Sequence, residues 1–119
     1  MNEQEIIQST VVPALNEKGW DSHDLYHYKV EYAIESGEKR LIADIVLFKG
    51  GTPIGVIEVK GPNGNLNQAI IQAKSYAKEL NTDFVYATDG KYIFKSALNS
   101  QTIESTLEFP SVEEILNVK

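Results

Sequence analysis

Two neighbouring segments of the chain carry charged side chains where a strand would normally be apolar. Asp44 interrupts the apolar run LIADIVLF, and Glu58 and Lys60 stand two residues apart at the end of GTPIGVIEVK. Aspartate is disfavoured within strands, and burying an unpaired carboxylate costs free energy. Asp44 therefore needs a partner. Glu58 and Lys60 would point to one face of the next strand, where they could supply it.

These three side chains predict a site for a divalent cation. The connection KGGTPI is short, so an antiparallel hairpin would place Asp44 beside Glu58 and Lys60. Two carboxylates about 4 Å apart repel by roughly 4 kcal/mol at an effective dielectric constant of 20. Mg²⁺, which is often bound by one or two carboxylates and by phosphate oxygens, would offset that repulsion. It would also lower the pKa of an attacking water, which Lys60 could orient, or Lys60 could stabilise charge on the phosphate.

The same residues also admit a purely structural interpretation. A Glu-x-Lys pair on a strand typically lies on a solvent-exposed face and forms a cross-strand ion pair. Short motifs also often match by chance. The alternative is a catalytically silent binding module whose carboxylates are held in ion pairs. The position of Asp44 within the most apolar strand favours a cation site over this structural interpretation.

Hydrophobic periodicity predicts the elements that position these residues. The fold class is α/β, a mixed β-sheet flanked by helices in the order α-β-β-β-α-β-β with a further helix at the end. The predicted elements are a helix over 2–18 that Pro13 would kink or break, strands 28–35, 41–48 and 54–60, a helix over 66–80, strands in DFVYAT and KYIFKS joined by Asp89-Gly90, and a short helix in FPSVEEILNVK capped by Ser111 and Glu114. Strand 54–60, helix 66–80 and strand 83–88 would form a crossover unit, and hence a parallel pair.

Composition narrows the possible functions. The 119 residues fit one domain, and the absence of cysteine excludes disulfides and thiolate metal sites. No secretory signal or membrane span is visible, so we expect a cytoplasmic protein with no membrane partner. A net charge of −6 disfavours a free-standing, nonspecific DNA binder. It does not exclude a nuclease, because catalytic carboxylates are acidic and another subunit could grip the DNA.

The spacing of the charged residues resembles that of the PD-(D/E)xK nucleases. Asp44 precedes Glu58-Val-Lys60 by a separation typical of the D…(D/E)xK core, although Ala43 stands where the motif has proline. Gln72 and Tyr76 on the next predicted helix match the QxxxY pattern of the nuclease domain of type I restriction enzyme R (motor) subunits. The opening NEQEIIQSTVVPALNEKGW and the tail FPSVEEIL also resemble those domains, so the resemblance covers nearly the whole chain.

The resemblance implies a role for each matching residue. Asp44 and Glu58 would be metal ligands, and Lys60 would be the catalytic lysine. Gln72 and Tyr76 would support DNA or the active-site geometry. An acidic residue of the first helix would complete the metal site. Glu3 fits that position best, and Glu5 is a second candidate.

The implied function is a Mg²⁺-dependent DNA endonuclease domain of a type I restriction enzyme R subunit, with Mn²⁺ as a substitute metal. Its partners would be double-stranded DNA and the modification and specificity subunits. Residues 1–119 would be a single nuclease domain from a longer chain with a helicase motor. ATP would act only through that motor, because no GxxxxGK[ST] phosphate loop occurs here. A stand-alone PD-(D/E)xK nuclease is the nearest alternative.

Overall fold

The computed structural model describes residues 2–116, which form a six-stranded sheet in the order β1-β2-β3-β4-β5-β6. Strands β3 and β4 are parallel, and every other neighbouring pair is antiparallel. The elements are α1 (Glu3–Ile6), a π-helical turn (Ile7–Val11), α2 (Val12–Glu17), β1 (Tyr26–Ser36), β2 (Lys39–Lys49), β3 (Thr52–Val59), α3 (Leu66–Leu80), β4 (Phe84–Thr88), β5 (Ile93–Ala97), β6 (Glu104–Thr106) and α4 (Val112–Leu116). The predicted mixed α/β fold is confirmed.

The N-terminal helix, residues 3–17, continues past Pro13. Proline lacks an amide hydrogen and its ring crowds the preceding helical turn. The helix accommodates it with the π-helical turn Ile7–Val11, in which the amide of Val12 donates to the carbonyl of Ile7. The predicted break at Pro13 is therefore replaced by a local change of helical pitch.

The crossover from β3 through α3 to β4 is present as predicted. Gly55 pairs with Phe84 at one end of the parallel ladder and Val59 with Thr88 at the other. The amide of Lys60 donates to the carbonyl of Thr88 at 2.9 Å. The carboxyl ends of β3 and β4 therefore lie side by side, and the loops that follow both strands start from the same edge of the sheet.

Helices cover the sheet on two sides, and each side has its own apolar cluster. The N-terminal helix packs on the first cluster, which includes Ile45, Ile57 and Trp20. Helix α3 packs on the second, which includes Val46 and Val56. Residues of β2 and β3 thus alternate between the two helical layers, as expected for strands buried on both faces.

The C-terminal part holds one element that the sequence did not predict. Strand β6 is three residues long, pairs with β5, and has no buried residue, so it lacks the apolar alternation that marks a strand. Helix α4 follows, and the Ser111 hydroxyl accepts from the amide of Glu114 at 3.0 Å. Residues 117–119 of the predicted tail helix lie outside the described residues.

None of the helices within residues 2–116 has both the length and the apolar character needed to cross a membrane.

Candidate active site

Asp44 and Glu58 lie on adjacent antiparallel strands and each accepts a hydrogen bond from the other strand. The amide of Asp44 donates to Glu58 Oε2 at 2.9 Å, and the amide of Val59 donates to Asp44 Oδ2 at 2.7 Å. The backbone register of β2 and β3 runs up to the pair Ile45↔Ile57. The two side-chain hydrogen bonds thus connect β2 and β3 just beyond their last backbone pair. Asp44 and Glu58 are juxtaposed, as predicted.

Both carboxyl groups hold their protons more tightly than usual. Burial raises the pKa of Glu58 to about 8, and the charge of Asp44 contributes to the rise. Burial also raises the pKa of Asp44, with Glu3 adding repulsion and the Val59 amide acting in the opposite direction. Glu58 is only 4% exposed. At neutral pH the pair therefore retains a proton, chiefly on Glu58, because two buried carboxylates side by side resist full ionisation.

Lys60 follows the pair at the end of β3. Its positive charge lowers the pKa of both Asp44 and Glu58. Among residues 2–116, however, no carboxylate comes within ion-pair distance of its ammonium group. The loop after it folds closely over its stem, since a Cβ built on Gly64 would lie 2.7 Å from Lys60 Cβ. Lys60 thus stands near the carboxylates without being neutralised by contact.

Gln72 and Tyr76 lie on α3, and their side chains are joined by a hydrogen bond. Gln72 Nε2 donates to the Tyr76 hydroxyl at 2.9 Å. Tyr76 is buried, and its pKa is raised by burial and then by the charge of Glu58. Tyr76 therefore lies close enough to feel the charge of Glu58, whereas Gln72, its hydrogen-bond partner, is exposed on the surface of α3.

The two candidate acids of the first helix behave differently. Glu5 forms a capping box with Asn2: it accepts from the Asn2 amide at 3.0 Å, and its own amide donates to Asn2 Oδ1 at 2.8 Å. Glu3 instead contributes repulsion at Asp44. No group of three His, Cys, Asp or Glu side chains in the described part of the chain is arranged to hold a metal. Glu3 is thus the nearer candidate, although it does not complete a three-residue cluster.

Comparison with known proteins places this chain in a family. Residues 2–110 match the model described as type I restriction enzyme R protein N terminus (HSDR_N). The chain belongs to this family. It is also 32% identical, over 131 aligned positions, to the type I restriction enzyme EcoAI endonuclease subunit of Escherichia coli. That alignment covers 97% of this chain but only 16% of the EcoAI subunit.

Two solved structures share the fold of this chain. A fragment of an inferred HsdR subunit of a type I restriction enzyme from Vibrio vulnificus YJ016 superposes with a TM-score of 0.84 at 26% identity, covering 98% of this chain and 25% of that one. A protein from Anabaena variabilis, inferred to be a nuclease, superposes with a TM-score of 0.64 at 14% identity, covering 97% of this chain and 80% of that one. The second likeness concerns the fold alone.

Glu31 is a site-adjacent residue of this R-protein N terminus that sequence reasoning missed. Its φ of 53° lies in the left-handed region, in the middle of β1. The flanking pairs Val30↔Ile45 and Tyr32↔Ala43 place it opposite Asp44. Gln4 Nε2 donates to its carboxylate at 2.5 Å. The residue type gave no indication of this left-handed conformation, because the conformation usually favours glycine.

Packing changes at the position of Glu31 and Asp44. Val30 packs with the first apolar cluster and Tyr32 with the second. On the partner strand, Ile45 belongs to the first cluster and Ala43 to the second. Residues two apart on a regular strand share a face, so both strands rotate here. Such irregularities recur next to active sites, where they re-aim side chains.

The carboxylate pair fits a hard divalent cation. Each carboxylate uses one oxygen for a backbone amide, which leaves Asp44 Oδ1 and Glu58 Oε1 as oxygen donors. Mg²⁺ commonly takes one or two carboxylates and completes its octahedron with water and phosphate oxygens. A cation would also offset the negative charge of the two groups, whose pKa is raised first by burial and then by neighbouring carboxylates. Two carboxylates rather than three suffice for this mode of binding.

Proposed function

We propose that this chain is the Mg²⁺-dependent DNA endonuclease domain of a type I restriction enzyme R subunit, with Mn²⁺ able to replace Mg²⁺. It would hydrolyse phosphodiester bonds in double-stranded DNA as part of a cytoplasmic complex with modification and specificity subunits. ATP would be used only by a motor elsewhere in a longer protein. The observation that carries the proposal is the pair formed by half-buried Asp44 and buried Glu58, hydrogen-bonded across β2 and β3 next to Lys60, in a chain of this family.

The proposed mechanism assigns a task to each side chain. Asp44 and Glu58 would hold the metal, with Glu58 ionised, because ligating carboxylates must be deprotonated. The chemistry supplied by a bound divalent cation would be a lowered pKa of an attacking water and positive charge against the phosphate. Lys60, charged and free of a contact carboxylate, donates to the water or to a phosphate oxygen. Gln72 holds the Tyr76 hydroxyl in place by a hydrogen bond, and Tyr76 supports the site from α3.

A plasmid-nicking assay tests this function. The chain is incubated with supercoiled DNA and Mn²⁺ at low salt, and open-circular product is measured. We expect metal-dependent nicking that is lost in Lys60→Ala and retained in Lys39→Ala, which changes a lysine at the far end of β2, next to the β1–β2 turn. Nicking that survives Lys60→Ala would contradict the assigned role. Absence of nicking in a wild-type chain that binds the metal would mean that cleavage needs the rest of the subunit.

One observation favours a second candidate, the catalytically silent binding module. Each carboxylate already satisfies a backbone amide of the opposite strand, so both could serve only to close the end of the β2–β3 ladder. In that case the chain would not bind divalent cations. Addition of Mn²⁺ would then change the thermal stability of neither the wild type nor Asp44→Asn.

A further inference from the structure

A cleft of about 460 Å³ opens at the carboxyl ends of β3 and β4. One wall is the N-terminal helix at Ile6 and Thr10, another is the loop at Pro62 and Asn63, and the third is the turn 89–92. Ligands of α/β sheets commonly bind outside the carboxyl ends of parallel strands. The amide of Lys60 donates to the carbonyl of Thr88, the residue before the turn 89–92, so the cleft lies at the edge of the sheet where Lys60 begins the loop after β3.

Tyr92 presents an aromatic ring in this cleft. It is 55% exposed, although large aromatic side chains are normally highly buried. The ammonium group of Lys91 lies 5.4 Å from the centre of the ring. Exposed aromatic rings on which bases stack are a common feature of proteins that bind single-stranded nucleic acid.

The turn that carries Tyr92 is held rigidly before any ligand arrives. Asp89 Oδ1 accepts from the amides of Lys91 and Tyr92 at 2.9 and 2.8 Å. The Thr88 hydroxyl donates to the Tyr92 carbonyl at 2.7 Å and accepts from the Gly90 amide at 3.0 Å. A rigid platform loses little conformational freedom on binding, which favours affinity.

The turn also packs tightly against the N-terminal helix. Gly90 has a φ of 91°, and a Cβ built on it would lie 3.1 Å from Cγ2 of Ile6. The position of the ring is therefore set by the same helix that carries Glu3.

Charge favours a base over a phosphate as the main contact. The Asp89 carboxylate lines the cleft together with the Lys91 ammonium, so their charges cancel. The chain as a whole carries −6. Stacking is independent of net charge, because every base has a π-face.

We propose that Tyr92 and Lys91 form a platform for an unpaired nucleotide of the DNA strand that passes the active site, with the base stacked on Tyr92. This inference deepens the proposed function and rests on it for the identity of the substrate. It predicts that the domain prefers DNA with an unpaired end over a fully paired duplex of the same length.

The test uses a duplex whose short overhang contains the fluorescent base 2-aminopurine, titrated with the full chain at low salt without metal. We expect quenching of the base and a Kd that rises roughly 5- to 30-fold in Tyr92→Ala. Tyr92→Phe keeps the ring and should keep the affinity. Leu107→Ala, which truncates a side chain that is 96% exposed, should match the wild type. The blunt duplex should bind more weakly and be insensitive to Tyr92→Ala.

The inference is overturned if the wild type gives no quenching, or if Tyr92→Ala binds the overhang as well as Leu107→Ala does. Folding of each variant is checked by its thermal unfolding curve. Mn²⁺ calorimetry on the same samples separates this result from the proposed function. Metal bound at Asp44 without Tyr92-dependent stacking would refute only the platform. Stacking without metal binding would refute only the nuclease.

Discussion

The amide of Asp44 donates to Glu58 while Asp44 itself accepts from Val59, so the two acids close the β2–β3 hairpin by reciprocal side-chain bonds. This arrangement buries Glu58 and half-buries Asp44, and burial raises the pKa of both carboxyl groups. A proton retained by the pair therefore stabilises the metal-free folded chain. The consequence is a set of linked effects of pH, metal and substitution on stability.

Stability of the metal-free chain should fall as pH rises from about 5 to about 8. The pKa of Glu58 is about 8 in the folded chain against a reference of 4.5. The folded chain therefore holds a proton in this window that the unfolded chain has released, and unfolding becomes easier as that proton is lost. Melting curves in EDTA across the window measure the effect.

Glu58→Gln is the control for this pH dependence. Its amide oxygen can still accept from the Asp44 amide, but the side chain no longer titrates. The slope of melting temperature against pH should be clearly smaller in the variant than in the wild type. Equal slopes would show that the proton resides elsewhere.

Metal affinity should depend on pH in the opposite sense. Mn²⁺ competes with the proton on Glu58, so its Kd should decrease as pH rises from about 6 to about 8, with proton release on binding. Calorimetry in two buffers of different ionisation enthalpy measures the released protons. An affinity that does not change with pH would contradict Glu58 as a ligand.

Strain at Glu31 can be measured by comparing two substitutions. Glu31→Gly and Glu31→Ala both remove the bond from Gln4, but only glycine tolerates the φ of 53° without strain. Glu31→Gly should be more stable than Glu31→Ala by about 1 kcal/mol. Urea unfolding of the two variants gives this difference. Equal stabilities would mean that β1 relaxes at this position.

Tyr76→Phe tests the contribution of α3. The substitution removes the hydroxyl that accepts from Gln72 at 2.9 Å and keeps the buried ring. We expect the melting temperature to change little and Mn²⁺ affinity to change by less than about threefold, a small free-energy difference. Metal-dependent nicking should fall. Tyr76→Ala is the contrasting variant, since it would leave a cavity and cost about 3–5 kcal/mol of stability.

Sequence patterns were sufficient for the parts of the molecule that depend on local periodicity. The apolar stripe of 66–80 and the short turn KGGTPI predicted α3 and the β2–β3 hairpin, and the hairpin alone brings Asp44 to Glu58. Helix α3 then had to return the chain to a parallel strand, because a right-handed crossover is the normal connection.

Other features depend on tertiary contacts and had no sequence signal. The left-handed Glu31 and the rotation of β1 and β2 arise where the hairpin meets the N-terminal helix through Gln4. The π-helical turn depends on how the helix continues around Pro13. Strand β6 exists because β5 offers an edge to pair with, not because of its own residues.

The most direct test of the account is calorimetry of Mn²⁺ with the wild type and Asp44→Asn. Asparagine is preferred to alanine because its oxygen can still accept from Val59, whose amide would otherwise lose its partner. We predict one binding site in the wild type and none in Asp44→Asn. We also predict that metal-free Asp44→Asn is at least as stable as the wild type at about pH 8, because removing one charge relieves the repulsion. No binding by the wild type, even with a short DNA duplex present, would contradict the nuclease assignment and favour the silent module.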